Sequence, residues 1–162
     1  MRVWLSQAIE KMDLAKAREA LSWEKDLDES FGMNGTFLGL AAQKGWIPGM
    51  ELLLEAGADI EARDEADFSP LDEAIAHKRS EAALWLLGRG ADPLRGDQKG
   101  RKPLMIAASQ GLDGVVRALL ALGAAPSSED ESGMTALMRA AANDSTEVAR
   151  ILMEAGADLG AR

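Results

Sequence analysis

The chain has 162 residues, of which 47% are hydrophobic and 28% charged, with a net charge of −9 and no cysteine. This length and balance suit one soluble globular domain. The acidity argues against nucleic acid and membrane surfaces as partners and favours a basic protein, while the lack of cysteine excludes disulfides and thiolate zinc sites. In MRVWLSQAIEK, Ser6, Gln7, Glu10 and Lys11 interrupt the chain before an apolar run develops. No stretch approaches the ~20 apolar residues of a membrane span, so a cytoplasmic location is expected.

A period of 33 residues orders everything that follows. Leu5, Leu38, Leu71, Leu104 and Leu137 are spaced by that step, each followed three residues later by Ala8, Ala41, Ala74, Ala107 or Ala140. In chain order, residues 1–29 form a degenerate first unit. In 30–62, Thr36 is placed to cap a short helix that breaks at Gly45. Pro48 then starts a second helix with the apolar stripe Met50, Leu53, Leu54, which Gly57 stops. In 63–95 the cap is Ser69, followed by Pro70, and Lys78 fills the inter-helix glycine slot. In 96–128 Lys102 replaces the capping hydroxyl before Pro103. Gly111 breaks the first helix, Val115, Val116, Leu119 and Leu120 form the second stripe, and Gly123 ends it. In 129–162 Thr135 caps, Asp144 fills the glycine slot and Gly156 terminates. Such helices bury their faces only by stacking.

The stretch GMNGTFLGLAAQKGWIPGMELLLEAGADIEARD resembles an ankyrin repeat, as do the units after it. The resemblance implies an all-α solenoid of stacked helix pairs joined by β-hairpin loops: four good repeats behind an N-terminal capping repeat, in one domain spanning 1–162. It also implies a non-enzymatic module, monomeric on its own and without cofactor or metal, that binds a partner protein on a concave face. Carried over slot by slot, the hairpin-tip contacts are Met33 and Gly35; Glu65, Ala66 and Phe68; Gln98, Lys99 and Arg101; and Glu131, Ser132 and Met134. The inner helices contribute Gln43 and Lys44, Ala76 and His77, Ser109 and Gln110, and Ala142 and Asn143. Phe68 is the expected aromatic anchor. One sharper version is a cytosolic inhibitor, such as a bacterial immunity protein that plugs a basic toxin; another is an adaptor. The family's histidine after the repeat leucine is Gly39, Asp72, Met105 and Met138, so its hydrogen bond to the threonine turn is expected to be missing throughout.

Residues 64–67 spell DEAD, a helicase signature whose first two acids, Asp64 and Glu65, would hold Mg²⁺ and orient water. An enzyme built on them is the remote alternative. Asp64 shares a column with Asp97 and Asp130, and Asp67 falls in the slot of Gly100 and Gly133, a turn position requiring positive φ. Asn34 fills that slot in the first good repeat. The chain also contains no Gly-Lys pair for a phosphate loop, so DEAD reads as turn sequence. His77 is the only histidine, which leaves no zinc site. The run 127–132, SSEDES, reads as a solvated loop. Met50 and Met153 are expected in the core, and Met33, Met105, Met134 and Met138 on the exposed inner face. Trp46 and Trp85 are expected to cover the core, and Trp4 and Trp23 to shield the open end of the first unit. Phe31 lies in the aspartate column.

Overall fold

The computed structural model describes residues 2–30 and 35–158. Ten helices form among them, in consecutive contacting pairs. The pairs are α1 (Arg2–Glu10) with α2 (Leu14–Leu21), α3 (Phe37–Lys44) with α4 (Ile47–Glu55), α5 (Pro70–Ala76) with α6 (Ser80–Gly88), α7 (Pro103–Gln110) with α8 (Asp113–Ala121), and α9 (Ala136–Ala142) with α10 (Thr146–Glu154). The chain divides into two compact units, Met1–Ala91 and Asp92–Arg162. In the first, α1, α3 and α5 stack in succession and α2 lies on α4. In the second, α7 stacks on α9 and α8 on α10. Phe31, Met33 and Asn34 lie outside the described residues.

The helices start and stop where the 33-residue period places their signals. The hydroxyls of Thr36, Ser69 and Thr135 accept the amides of Gly39, Asp72 and Met138 at 3.0–3.2 Å, and each such cap is worth about 1 kcal/mol. Lys102 makes no side-chain cap, and the proline after it lacks one amide that would need satisfying. Each first helix ends on a left-handed residue: Met12, Gly45, Lys78, Gly111 and Asp144 all have φ between 51° and 71°. The amide one residue further on returns to the carbonyl of Ala8, Ala41, Ala74, Ala107 or Ala140. One alanine column therefore allows close helix packing and also receives the bond that ends the helix. Those alanines and the repeat leucines are all buried.

Two expectations about this frame need correction. Ser69 is not without a partner in the slot after the leucine. Asp72 Oδ2 accepts from the Ser69 amide at 3.0 Å and from its hydroxyl at 2.8 Å, which closes a reciprocal capping box. The expected β-hairpins do not form either. No strand occurs among the described residues, and the only bridge is an isolated antiparallel one between Glu129 and Thr135. The reason is local. Asp64 N donates to Phe68 O at 3.1 Å and Asp67 N to Asp64 O at 3.0 Å, and the next residue, Ser69, is already a helix cap. The pairing ends at the cap, and at Thr135, the cap of α9, it reaches only one isolated bridge. The same pair of bonds joins Asp97 to Arg101 and Asp130 to Met134.

Methionine and tryptophan placements also depart from expectation. Met105 is 1% exposed and belongs to the core, because the whole of α7 from Pro103 to Ala108 is buried. Met153 is 44% exposed, on the solvent side of α10. Met50 and Trp46 are buried as expected, whereas Trp85 is half-buried with the Arg89 guanidinium 4.4 Å over its ring. Trp4 and Trp23 stand in solvent.

Lys78 adopts φ 58° in the slot that Gly45 and Gly111 fill, which costs an L-residue about 1–2 kcal/mol. Lys78→Gly is expected to raise the unfolding free energy in urea by about 0.5–1 kcal/mol, after the entropy lost by glycine is subtracted. Gly57 has φ 98° and nothing within 4 Å of an added Cβ. Gly57→Ala therefore isolates the backbone strain, and is expected to lower stability by about 1 kcal/mol.

Candidate protein-binding surface

The tips of the turns are built by one aspartate column. Asp64 Oδ1 accepts the amides of Ala66 and Phe68 at 2.9 and 2.8 Å. Asp97 Oδ1 accepts those of Lys99 and Arg101, both at 2.9 Å, and Asp130 Oδ1 those of Ser132 and Met134 at 2.8 and 3.0 Å. Asp67, Gly100 and Gly133, with φ of 63°, 71° and 73°, reverse the chain inside each turn. This geometry leaves the two residues after each aspartate in solvent: Glu65 and Ala66, Gln98 and Lys99, Glu131 and Ser132. The fifth residue, Phe68, Arg101 or Met134, is half-buried.

In the first unit, the inner-helix residues are joined by hydrogen bonds. Gln43 Nε2 donates to His77 Nε2 at 3.1 Å across 34 residues, which places the ring proton on Nδ1. Nδ1 then donates to Glu73 O at 3.0 Å and lies 3.2 Å from Glu73 Oε2. Lys44 is held by Glu10 at 2.6 Å, Ala76 is half-buried, and Gly35 is buried against Asp64. The cations Lys44, Lys78 and Arg79 line a shallow hollow at the helix–helix turns, with Arg79 Nε donating to Gln43 O at 3.0 Å.

In the second unit, neighbouring turns touch through Glu131 N donating to Lys99 O at 3.0 Å. Ser109 and Gln110 are half-buried at the end of α7, and Ala142 and Asn143 are exposed at the end of α9. Both turn aspartates carry an arginine. Arg101 Nε lies 2.7 Å from Asp97 Oδ2, and Arg139 pairs with Asp130 Oδ2. Burial opposes ionisation of Asp97, but the Arg101 amide and guanidinium and the Lys99 amide outweigh it and hold the carboxyl below its usual range. Asp130 is lowered likewise: burial is outweighed by the Met134 amide, the Arg139 guanidinium and the Ser132 amide.

The first unit inverts this arrangement. Glu73 occupies the slot of Arg139, two periods upstream, so that an acid rather than an arginine lies near Asp64. Burial, the Asp64 charge and hydrogen bond, and the Asp72 charge push the Glu73 carboxyl up to about 7. Residue-by-residue reading missed Glu73. The signal was present in its column, where an acid stands against Ile106 and Arg139.

The DEAD acids have structural roles. Asp64 holds a turn and Glu65 points to solvent. Among the described residues no group of three or more His, Cys, Asp or Glu side chains is placed to hold a metal, and no helix is long and apolar enough to cross a membrane.

The shift of Glu73 sets a pH dependence. Its pKa is raised from the ordinary 4.5 to about 7, so the folded chain holds this proton more tightly than the unfolded one. The stabilisation is complete below pH 4.5 and is lost as pH rises to 7. Melting temperature is expected to fall between pH 5 and pH 7.5 in the native chain and to fall less in Glu73→Gln. Equal slopes in the two proteins would exclude Glu73 as the source.

The comparisons with known proteins agree with this geometry. The family described as ankyrin repeats (3 copies) matches residues 5–97 and 94–162. A comparison with curated proteins finds no match. Stacked helix pairs repeating every 33 residues, joined by aspartate-held turns, place the chain in the ankyrin-repeat family, a non-catalytic scaffold typical of protein–protein interaction modules.

Proposed function

We propose that the chain binds a partner protein through its turn tips and inner-helix ends, and that the partner presents a basic surface. The observation that carries this reading is the half-buried acid Glu73, with Asp64 and Asp72 nearby, in the column where Arg139 pairs with Asp130. A half-buried acid near other carboxyls contributes little to a fold that places Arg139 in the same position of α9. A cation brought to this surface favours the ionised Glu73. The exposed tip acid Glu65 extends the same potential, and the net charge of −9 steers a basic partner toward the chain. Phe68 supplies the apolar anchor: its ring is half-buried beside Glu65 and Ala66, at a tip position that is Arg101 and Met134 in the other turns.

Affinity purification from the native cell, followed by calorimetry on the recovered protein, tests this reading. Phe68→Ala is expected to weaken binding by about 2 kcal/mol, roughly thirtyfold, with little change in melting temperature. Affinity for a basic partner is expected to fall with added salt and to rise with pH through 7, as Glu73 ionises. Recovery of a secreted toxin would identify the binding as inhibition. An acidic partner, or affinity insensitive to salt and to Phe68→Ala, would overturn the proposal.

A further inference from the structure

The three aspartate-held turns share a backbone but not a counter-ion. Oδ1 of Asp64, Asp97 and Asp130 takes the same two amides, which leaves Oδ2 to meet another group. On Asp97 that group is a guanidinium, with Arg101 Nε and Nη2 reaching Oδ2 at 2.7 and 2.6 Å. On Asp130 it is Arg139 Nη2. The two arginines stand in different slots, the one held by Phe68 and the one held by Glu73 after Asp64, yet they arrive at the same oxygen. The turn at Asp64 therefore has an arginine in neither slot.

Among the described residues no other cation pairs with Asp64 in its place. Arg63, beside it in sequence, donates to Asp67 O at 2.6 Å and lies 3.8 Å from the Asp67 and Asp72 carboxylates. Exposure records the difference. With their arginines in place, the Asp97 and Asp130 side chains are 2% and 3% exposed, whereas Asp64 is half-buried. Water can solvate such a carboxylate, and the turn closes without a cation. The other two turns nonetheless define what fits this oxygen: a guanidinium that reaches Oδ2 while both amides stay on Oδ1.

We propose that Asp64 Oδ2 is the seat of an arginine side chain presented by the partner protein, in the manner of Arg101 on Asp97 and Arg139 on Asp130. The inference rests on the reading that a basic protein docks at the turn tips, and it names the side chain that meets the first unit. Arginine suits the seat better than lysine. Its planar fork places two N–H groups on one oxygen, as Arg101 does. A guanidinium also stacks on aromatic rings, and Phe68, whose amide Asp64 holds at 2.8 Å, brings one to the same turn. Glu65 and Ala66 stand in solvent beside it.

A nuclear magnetic resonance titration of the full chain with hexa-arginine and with hexa-lysine tests this, because the peptides match in charge and differ in the group that bears it. The amides of Ala66 and Phe68 are expected to shift with both, and hexa-arginine is expected to bind there at least about fivefold tighter. Asp64→Asn keeps an oxygen for the two amides and removes the charge at the seat, so it should abolish the preference for arginine. Glu73→Arg puts an arginine in the slot of Arg139 and should abolish it too, without lowering the melting temperature. If Asp64→Asn melts early, Glu73→Arg decides. Equal affinity of the native chain for the two peptides would overturn the proposal and leave the basic-partner reading standing. No shift at Ala66 and Phe68 with either peptide would overturn both. A preference for arginine that survives in either folded variant would assign the arginine to another surface and overturn the proposal as well.

Discussion

One carboxylate accepting two backbone amides organises the connections between helix pairs. Asp64, Asp97 and Asp130 each close a five-residue turn by taking the amides two and four positions ahead. The turn leads into the next helix cap without an intervening strand. The carboxylate thus sets the direction of each following first helix and leaves two tip residues in water. A free amide there would otherwise depend on solvent, and a charged acceptor makes a stronger bond than a neutral one. The turn amides, together with the arginines that meet Asp97 and Asp130, hold those carboxyls below their usual range.

The helices were legible because their signals are local and recur every 33 residues. Caps at Thr36, Ser69 and Thr135, left-handed stops at Gly45 and Gly111, and even the unfavourable Lys78 and Asp144 fall where the period puts them. The loops were legible as turns, with Asp67 at positive φ, but not as strandless ones. Whether a ladder grows past a turn depends on how soon the next cap claims the chain, and Ser69 claims it at once. Burial of single side chains was the least legible. Met105 and Met138 share a column, yet the first is sealed in the core and the second half-open, because only α7 is followed by another helix pair in its unit.

The surface was legible as positions rather than as chemistry. The family pattern places Glu65, Ala66 and Phe68 at a tip, and Gln43 and His77 at inner-helix ends. The pattern says nothing of the hydrogen bond joining Gln43 to His77, or of the raised Glu73 carboxyl beside it. The bond arises from the contact of α3 with α5, which no single repeat contains, whereas Glu73 meets the Asp64 and Asp72 charges inside one repeat. Trp4 teaches the same lesson in reverse. Its slot is a core slot in α3 and α9, and it is surface in α1, before which no helix pair lies among the described residues.

Hydrogen exchange of the turn amides tests the central claim most directly. If the carboxylate and not a strand ladder holds each turn, Asp97→Ala should speed exchange of the Lys99 and Arg101 amides by on the order of tenfold or more. The amides of Ala66 and Phe68, held by Asp64 in the other unit, should keep their native rates. Unchanged protection at Lys99 and Arg101 in the variant would contradict the account.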